Sequence, residues 1–231
     1  LSYSGLRTLA VETRAALRAA GIAAKDRVAI VLPNGPEMAT AFVTIAQAAT
    51  TAPLNPAYRE DEYAFYLEDL RAKAIVLAEG YDGPALAAAR RFGLLVLRLR
   101  FEPSAPAGAF TLHPEETVAV AAVDDAPAPD DIALILHTSG TTSRPKIVPL
   151  LQSNLAASAQ NIRASLDLTE SDRCLNVMPL FHIHGLIAAV TASLASGASV
   201  SCAPGFDALR FLGWMREVRP TWFTAVPTMH Q

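Results

Sequence analysis

DDIALILHTSGTTSRPK, residues 130–146, opens on two aspartates, runs apolar without a break from Ile132 to Leu136, and then becomes a hydroxyl-rich loop ending on Lys146. A short continuous apolar run fits a strand buried on both faces, as in a parallel sheet. The loop therefore leaves the carboxyl end of a buried strand, where open α/β sheets bind their ligands. Thr138, Ser139, Thr141, Thr142 and Ser143 bring hydroxyls, Gly140 permits close backbone approach, and Arg144 and Lys146 place positive charge on either side of Pro145. Phosphate is the natural guest. A helix expected from about Ser153 to Leu166 would add an anion-attracting N-terminus. The bland alternative is a solvated Ser/Thr-rich turn.

The loop is not a Walker A motif. That motif needs a glycine before its lysine and a hydroxyl after it, to let backbone N–H groups reach phosphate and to ligate magnesium. Here those positions are Pro145, which has no N–H, and Ile147, which has no ligand atom.

The same kind of run recurs on both sides of the loop. DRVAIVLPN (26–34), AIVLAEG (74–80), LLVLRLR (94–100), RCLNVM (173–178), ASVSCA (198–203) and TWFTAV (221–226) read as strands. Helical periodicity falls between them, at Leu6–Ala20 with Ser4 as N-cap and Gly21 as stop, from Pro36 to about Ala49, at 60–72, 84–92, 185–196 and 206–217. Strand and helix in succession predict an α/β fold with mainly parallel sheets flanked by helices. Five prolines among acidic residues between 102 and 131, ending in DDAPAPDD, predict a loop connector there.

Composition narrows the class. Of the 231 residues 52% are hydrophobic and 18% charged, as in a globular enzyme rather than a disordered chain. A net charge of -3 gives no electrostatic footprint for nucleic acid. Two cysteines, Cys174 and Cys202, make no disulfide framework and no metal-ligand spacing, which suits reduced core thiols in a cytoplasmic protein. The apolar stretch from Leu186 to Leu194 is too short to span a bilayer, and no signal peptide is visible. Because Leu1 is not a methionine and the chain stops at Gln231 within a continuing segment, part of a longer protein is expected.

A second constellation is PLFHIHGL, residues 179–186. On an extended backbone His182 and His184 would point to the same side, and Gly185 would release the chain into a helix. Such a pair can bind zinc, but no third ligand follows at a recognisable spacing; structural histidines and a polar substrate pocket are the other readings. This motif too leaves the carboxyl end of a strand, so both motifs are expected to face one crevice.

TSGTTSRPK resembles the phosphate-binding signature of the acyl-adenylate-forming enzymes, the superfamily of AMP-binding acyl-CoA synthetases. PLFHIHGL is similar to their next motif, and DRVAIVLPNGPE (26–37) and PLNPAYREDEYAFYLED (53–69) to their upstream framework. Ser143 in place of the usual glycine, the HIHGL run and the ending TWFTAVPTMHQ together look most like the oxalate-CoA ligase branch. The resemblance implies an acid-CoA ligase that forms an acyl-adenylate from ATP, with magnesium, and then a thioester with coenzyme A. Its substrate is expected to be oxalate or another short dicarboxylate; medium- or long-chain fatty-acid and 4-coumarate-type ligases, or a non-catalytic nucleotide- or acyl-binding module, are the alternatives. It further implies that Thr138, Ser139, Gly140, Thr141, Thr142 and Lys146 hold ATP phosphates, that His182 is catalytic near the thiol route, and that His182, His184 and Gly185 line the acyl pocket. Residues 1–231 would then be part of the large N-terminal domain. The adenine site and the catalytic lysine would lie outside the chain, and the 231 residues alone are expected to be inactive.

Overall fold

The computed structural model describes residues 1–116, 125–138 and 145–230. They divide into two compact units, Leu1–Leu32 with Thr40–Gln152, and Pro33–Ala39 with Ser153–Gln231.

The first unit opens with α1 (Tyr3–Ala19). Its N-cap is Ser2, not Ser4: the Ser2 hydroxyl accepts from Gly5 N at 3.1 Å. There follow β1 (Arg27–Val31), α2 (Pro36–Ala46, whose first turn is counted with the second unit), β2 (Thr50–Pro53), α3 (Glu60–Leu70), β3 (Ala74–Ala78), α4 (Pro84–Arg91), β4 (Leu95–Arg100), β5 (Thr111–Pro114), β6 (Ile132–Thr138) and β7 (Lys146–Leu151). The strands form one sheet in the order β5-β4-β3-β1-β2-β6-β7. Its five central strands pair in parallel, while β5 and β7 are antiparallel edges.

Two expectations are corrected here. The connector of residues 102–131 contains an edge strand, β5, held in register against β4 from Leu97↔Pro114 to Arg100↔Thr111. The hydroxyl loop leads into another strand, β7, and not directly towards a helix. The helix that follows, α5 (Gln152–Ser165), begins where β6 began, with Gln152 N donating to Asp131 O at 3.0 Å. A strand of six residues spans about 20 Å, so this N-terminus lies at the far end of the hairpin and gives the loop no anion-attracting terminus.

One face of the sheet is sealed by α3 and α4. Ala29, Val31, Ile75, Leu77 and Ile135 pack with Tyr63, Leu67 and Leu70 of α3 and with Ala85, Leu86, Ala88 and Ala89 of α4. Each large apolar side chain so buried contributes about 1.5–3 kcal/mol, which is why the continuous apolar strands take the centre of the sheet.

The second unit holds most of α5, then β8 (Arg173–Asn176), a π-helix (His184–Thr191), α6 (Ala192–Ala195), β9 (Ser199–Cys202), α7 (Ala208–Val218), β10 (Trp222–Thr224) and α8 (Pro227–His230). Its three strands are parallel, in the order β10-β8-β9. Leu175 and Phe223 turn to α7, packing with Phe211, Trp214, Met215 and Val218. Asp207 caps that helix, its Oδ1 accepting from Leu209 N and Arg210 N at 3.0 and 3.2 Å. The chain is α/β, with mostly parallel sheets flanked by helices.

Candidate functional site

In the first unit the described candidate residues Thr138 and Lys146 stand at the loop end of the β6–β7 hairpin. Thr138 stands opposite Lys146 and His137 opposite Ile147. Neighbours along a strand face opposite ways, so Thr138 and Lys146 share one side and His137 takes the other, with Ile135. Thr138 and Lys146 are both exposed. An exposed cation beside a hydroxyl has the chemistry to receive an anion. Ser139, Gly140, Thr141 and Thr142 lie outside the described residues.

His137 is packed firmly in place. Its Nε2 is 3.0 Å from Asp69 Oδ2 on α3, and its ring meets the Tyr66 ring edge-on at 4.6 Å. Tyr66 in turn stacks on Tyr58 at 4.8 Å. Burial holds the His137 imidazole below its ordinary value against the opposing pull of Asp69. This places a neutral, anchored side chain one residue before Thr138.

In the second unit the histidine motif is assembled by side chains that grip the backbone. Asn34 Nδ2 donates to Met178 O at 3.2 Å and to Ala203 O at 3.0 Å, while its Oδ1 accepts from Leu180 N at 2.7 Å. Asn176 Oδ1 accepts from Met178 N at 3.0 Å. Two amide side chains thus hold the turn Met178–Leu180 just beyond β8. A Cβ on Gly185 would lie 2.5 Å from Pro179 O and 3.2 Å from Met178 O, so only glycine lets the π-helix start against this turn.

The extended geometry expected for His182 and His184 is not what forms. His182 N donates to Pro179 O at 3.3 Å within a turn, Ile183 is right-handed helical (φ -52, ψ -37), and His184 begins the π-helix. The same-side reasoning therefore fails, because the strand ends at Asn176. His182 is exposed, with its ring 4.4 Å from that of Phe181, and partial burial keeps its imidazole below its ordinary value. His184 is half-buried, with Nε2 2.6 Å from Thr224 Oγ1 at the end of β10. π-helical segments recur at functional sites, and this eight-residue one opens on His184.

Around them the carboxyl edge of the small sheet is polar. Thr224 and Cys202 are the register partners of Asn176 on its two sides, so the three side chains share a face. The Asn176 amide nitrogen and the Trp222 indole nitrogen are buried without a hydrogen-bond partner. Burial pushes the thiols of Cys174 and Cys202 up to about 12, which makes them inert core groups rather than nucleophiles. Among the described residues no group of three or more His, Cys, Asp and Glu side chains is placed to hold a metal. Nor, among these residues, is any helix long and apolar enough to cross a membrane.

Two α/β units, one with a seven-stranded and one with a three-stranded sheet, carry polar groups at the strand ends where α/β folds bind small molecules. The chain belongs to the AMP-binding enzyme family, whose pattern it matches over residues 1–231. It is 42% identical to an oxalate–CoA ligase of Arabidopsis thaliana over 215 residues, covering 92% of this chain and 42% of that protein. With an oxalate–CoA ligase of Saccharomyces cerevisiae the identity is 37%, covering 89% of this chain and 42% of the other. The crystal structure of ATP-bound MatB from Rhodopseudomonas palustris superposes with a TM-score of 0.80 at 29% identity, covering 98% of this chain and 44% of that one. The chain thus spans less than half the length of these relatives.

Three features of the site leave little or no mark in the sequence. Asn34 was legible only as the end of a strand, although a polar side chain just before Gly-Pro at a parallel strand's carboxyl end is a signal in itself. Thr224 and the Asp69–His137 pair had no local signal: their partners are 40 and 68 residues away.

Proposed function

We propose that the protein carrying this chain is an AMP-forming acid-CoA ligase acting on oxalate or another short dicarboxylate, and that residues 1–231 are part of its large N-terminal domain. The observation that carries the substrate class is His184, half-buried and tied to Thr224: a polar, hydrogen-bonding wall suits a second carboxylate and wastes its desolvation cost on an alkyl tail. Kinship with two oxalate–CoA ligases supports the same choice.

In the proposed reaction a carboxylate oxygen attacks the α-phosphorus of ATP and pyrophosphate leaves. The coenzyme A thiol, losing its proton, then attacks the acyl carbon and AMP leaves. Both partners of the first step are anions, so neutralisation and alignment are the main work. Lys146 and Thr138 supply charge and a hydroxyl at the end of the hairpin, joined in this reading by Ser139, Gly140, Thr141 and Thr142 on the ATP phosphates. His184 reads the distal carboxylate. His182, exposed and held towards its neutral form, is free to assist the thiol, and Gly185 keeps the pocket wall close.

Steady-state rates of the full-length protein with oxalate, malonate, acetate, a medium-chain fatty acid and a cinnamate test the proposal. Oxalate or malonate is expected to lead. A lead for the fatty acid or cinnamate would overturn the substrate class, and no ATP–pyrophosphate exchange with any acid would point to the non-catalytic binding module.

A further inference from the structure

We infer that Thr224 is a positioning residue that fixes the His184 ring through Nε2 and so reserves Nδ1 for the acid substrate. The part of this inference that concerns substrate rests on the ligase reading above; the part that concerns the ring does not.

The register sets the geometry. Thr224 pairs with Asn176 across parallel strands, while Phe223 beside it turns to the opposite face, where α7 packs. Thr224 is therefore directed away from α7, and at 2.6 Å its hydroxyl meets the first residue of the π-helix. The backbone beside the histidine packs so closely on the turn that a Cβ at Gly185 would stand 2.5 Å from Pro179 O, and it is held there by His182 N donating to Pro179 O and Leu186 N donating to His182 O. His184 is thus gripped at both ends, by its main chain and by its Nε2.

The choice of a hydroxyl has a chemical consequence. Threonine Oγ1 both donates and accepts. When Nε2 carries the ring proton, Oγ1 accepts it and Nδ1 presents a lone pair. When Nδ1 carries it, Oγ1 donates to Nε2 and Nδ1–H is the ring's remaining donor. When both nitrogens are protonated, Oγ1 accepts again and Nδ1–H is still the remaining donor. The anchor therefore survives every protonation state, and His184 can turn a donor towards a carboxylate without releasing the ring. A residue that only accepts, or that does neither, would lose that property.

The experiment compares Thr224→Val, which keeps the shape but removes the hydroxyl, with Thr224→Ser, which keeps the hydroxyl, in the full-length protein. Two readouts are taken: ¹⁵N resonances of the His184 ring in histidine-labelled protein, assigned by their loss in His184→Gln, and the KM values for oxalate and for ATP. The expected result is that Thr224→Val shifts the His184 Nε2 resonance and raises the oxalate KM about tenfold, the scale of one lost buried hydrogen bond. The ATP KM should stay put, and Thr224→Ser should retain the wild-type ring spectrum and oxalate KM within about twofold.

An unchanged ring spectrum in Thr224→Val overturns the inference, and so does a serine variant that behaves like the valine one, since packing of the methyl would then be the cause. If the wild-type protein activates no acid at all, the ligase reading fails, while the ring spectrum still decides whether Thr224 holds His184.

Discussion

The hairpin end of the first unit and the strand ends of the second present polar groups in opposite ways. Thr138 and Lys146 stand exposed on an antiparallel hairpin, and only their neighbour His137 is locked down, by Asp69 and Tyr66. His184 is half-buried, and its surroundings are organised by side chains that grip backbone or ring: Asn34, Asn176 and Thr224. Exposed charge is forgiving of position and serves any anion alike, whereas a buried hydrogen-bonded group discriminates, because a poorly matched guest leaves it unpaired. The first region is accordingly read as general electrostatics and the second as selectivity.

The largest effect that would break this contrast concerns Lys146. Lys146→Ala in the full-length protein should lower ATP–pyrophosphate exchange about 100-fold, the scale of losing one donor aimed at developing charge. Unfolding by denaturant should be almost unchanged, because the side chain is exposed.

Gly185→Ala should do the reverse and strike stability first. Its Cβ would meet the main-chain oxygen of Pro179 at 2.5 Å, and backbone cannot swing aside as a flexible side chain can. A loss near the upper end of about 1–3 kcal/mol is expected in denaturant unfolding, with the π-helix displaced. A variant as stable as the parent would show that the turn Met178–Leu180 yields easily.

His184→Tyr sharpens the second region alone. It should cost about 1 to 3 kcal/mol in kcat/KM for a dicarboxylate, with a much smaller effect on a monocarboxylate. Equal losses for both acids would remove His184 from acid selection.

The smallest effect is a pH dependence of the first region. Burial lowers the folded pKa of His137 below the unfolded value of about 6.5, so the unfolded chain binds more protons as the medium acidifies. The contribution of His137 to stability is therefore present above the unfolded pKa and is lost as pH falls through the folded one. Denaturant midpoints taken between about pH 7.5 and 5.5 should fall less steeply for His137→Gln than for the parent. Parallel curves would contradict the burial.

The central strands were legible because burial on both faces writes itself as an unbroken apolar run: VAIV in β1, AIVLA in β3, IALIL in β6. The antiparallel edges were not. β5 carries Pro114, and β7 carries Pro149 on the outermost strand, where a missing N–H costs no ladder bond. Pro114 reads as part of the loop connector, and the stretch holding Pro149 gives no strand signal of its own. Missing β7 also put the start of α5 at the wrong end of the hairpin. The π-helix shows only as an apolar helical stretch, since its wider hydrogen bonding leaves no mark in LIAAVT. For the same reason HIHGL shows as a motif but does not show the turn and π-helix that carry its histidines. Thr224, the partner of His184, and the amide of Asn34 belong to other segments, and only the folded sheet brings them together.

The division of labour is tested most directly by ATP–pyrophosphate exchange with oxalate, malonate and acetate, measured side by side for Lys146→Ala and His184→Tyr in the full-length protein. The expected result is a common factor of loss for all three acids in the lysine variant, with their ranking preserved, and a changed ranking in the histidine variant. A lysine variant that reorders the acids, or a histidine variant that slows all three alike, would contradict the assignment of charge to the hairpin and selectivity to the strand ends.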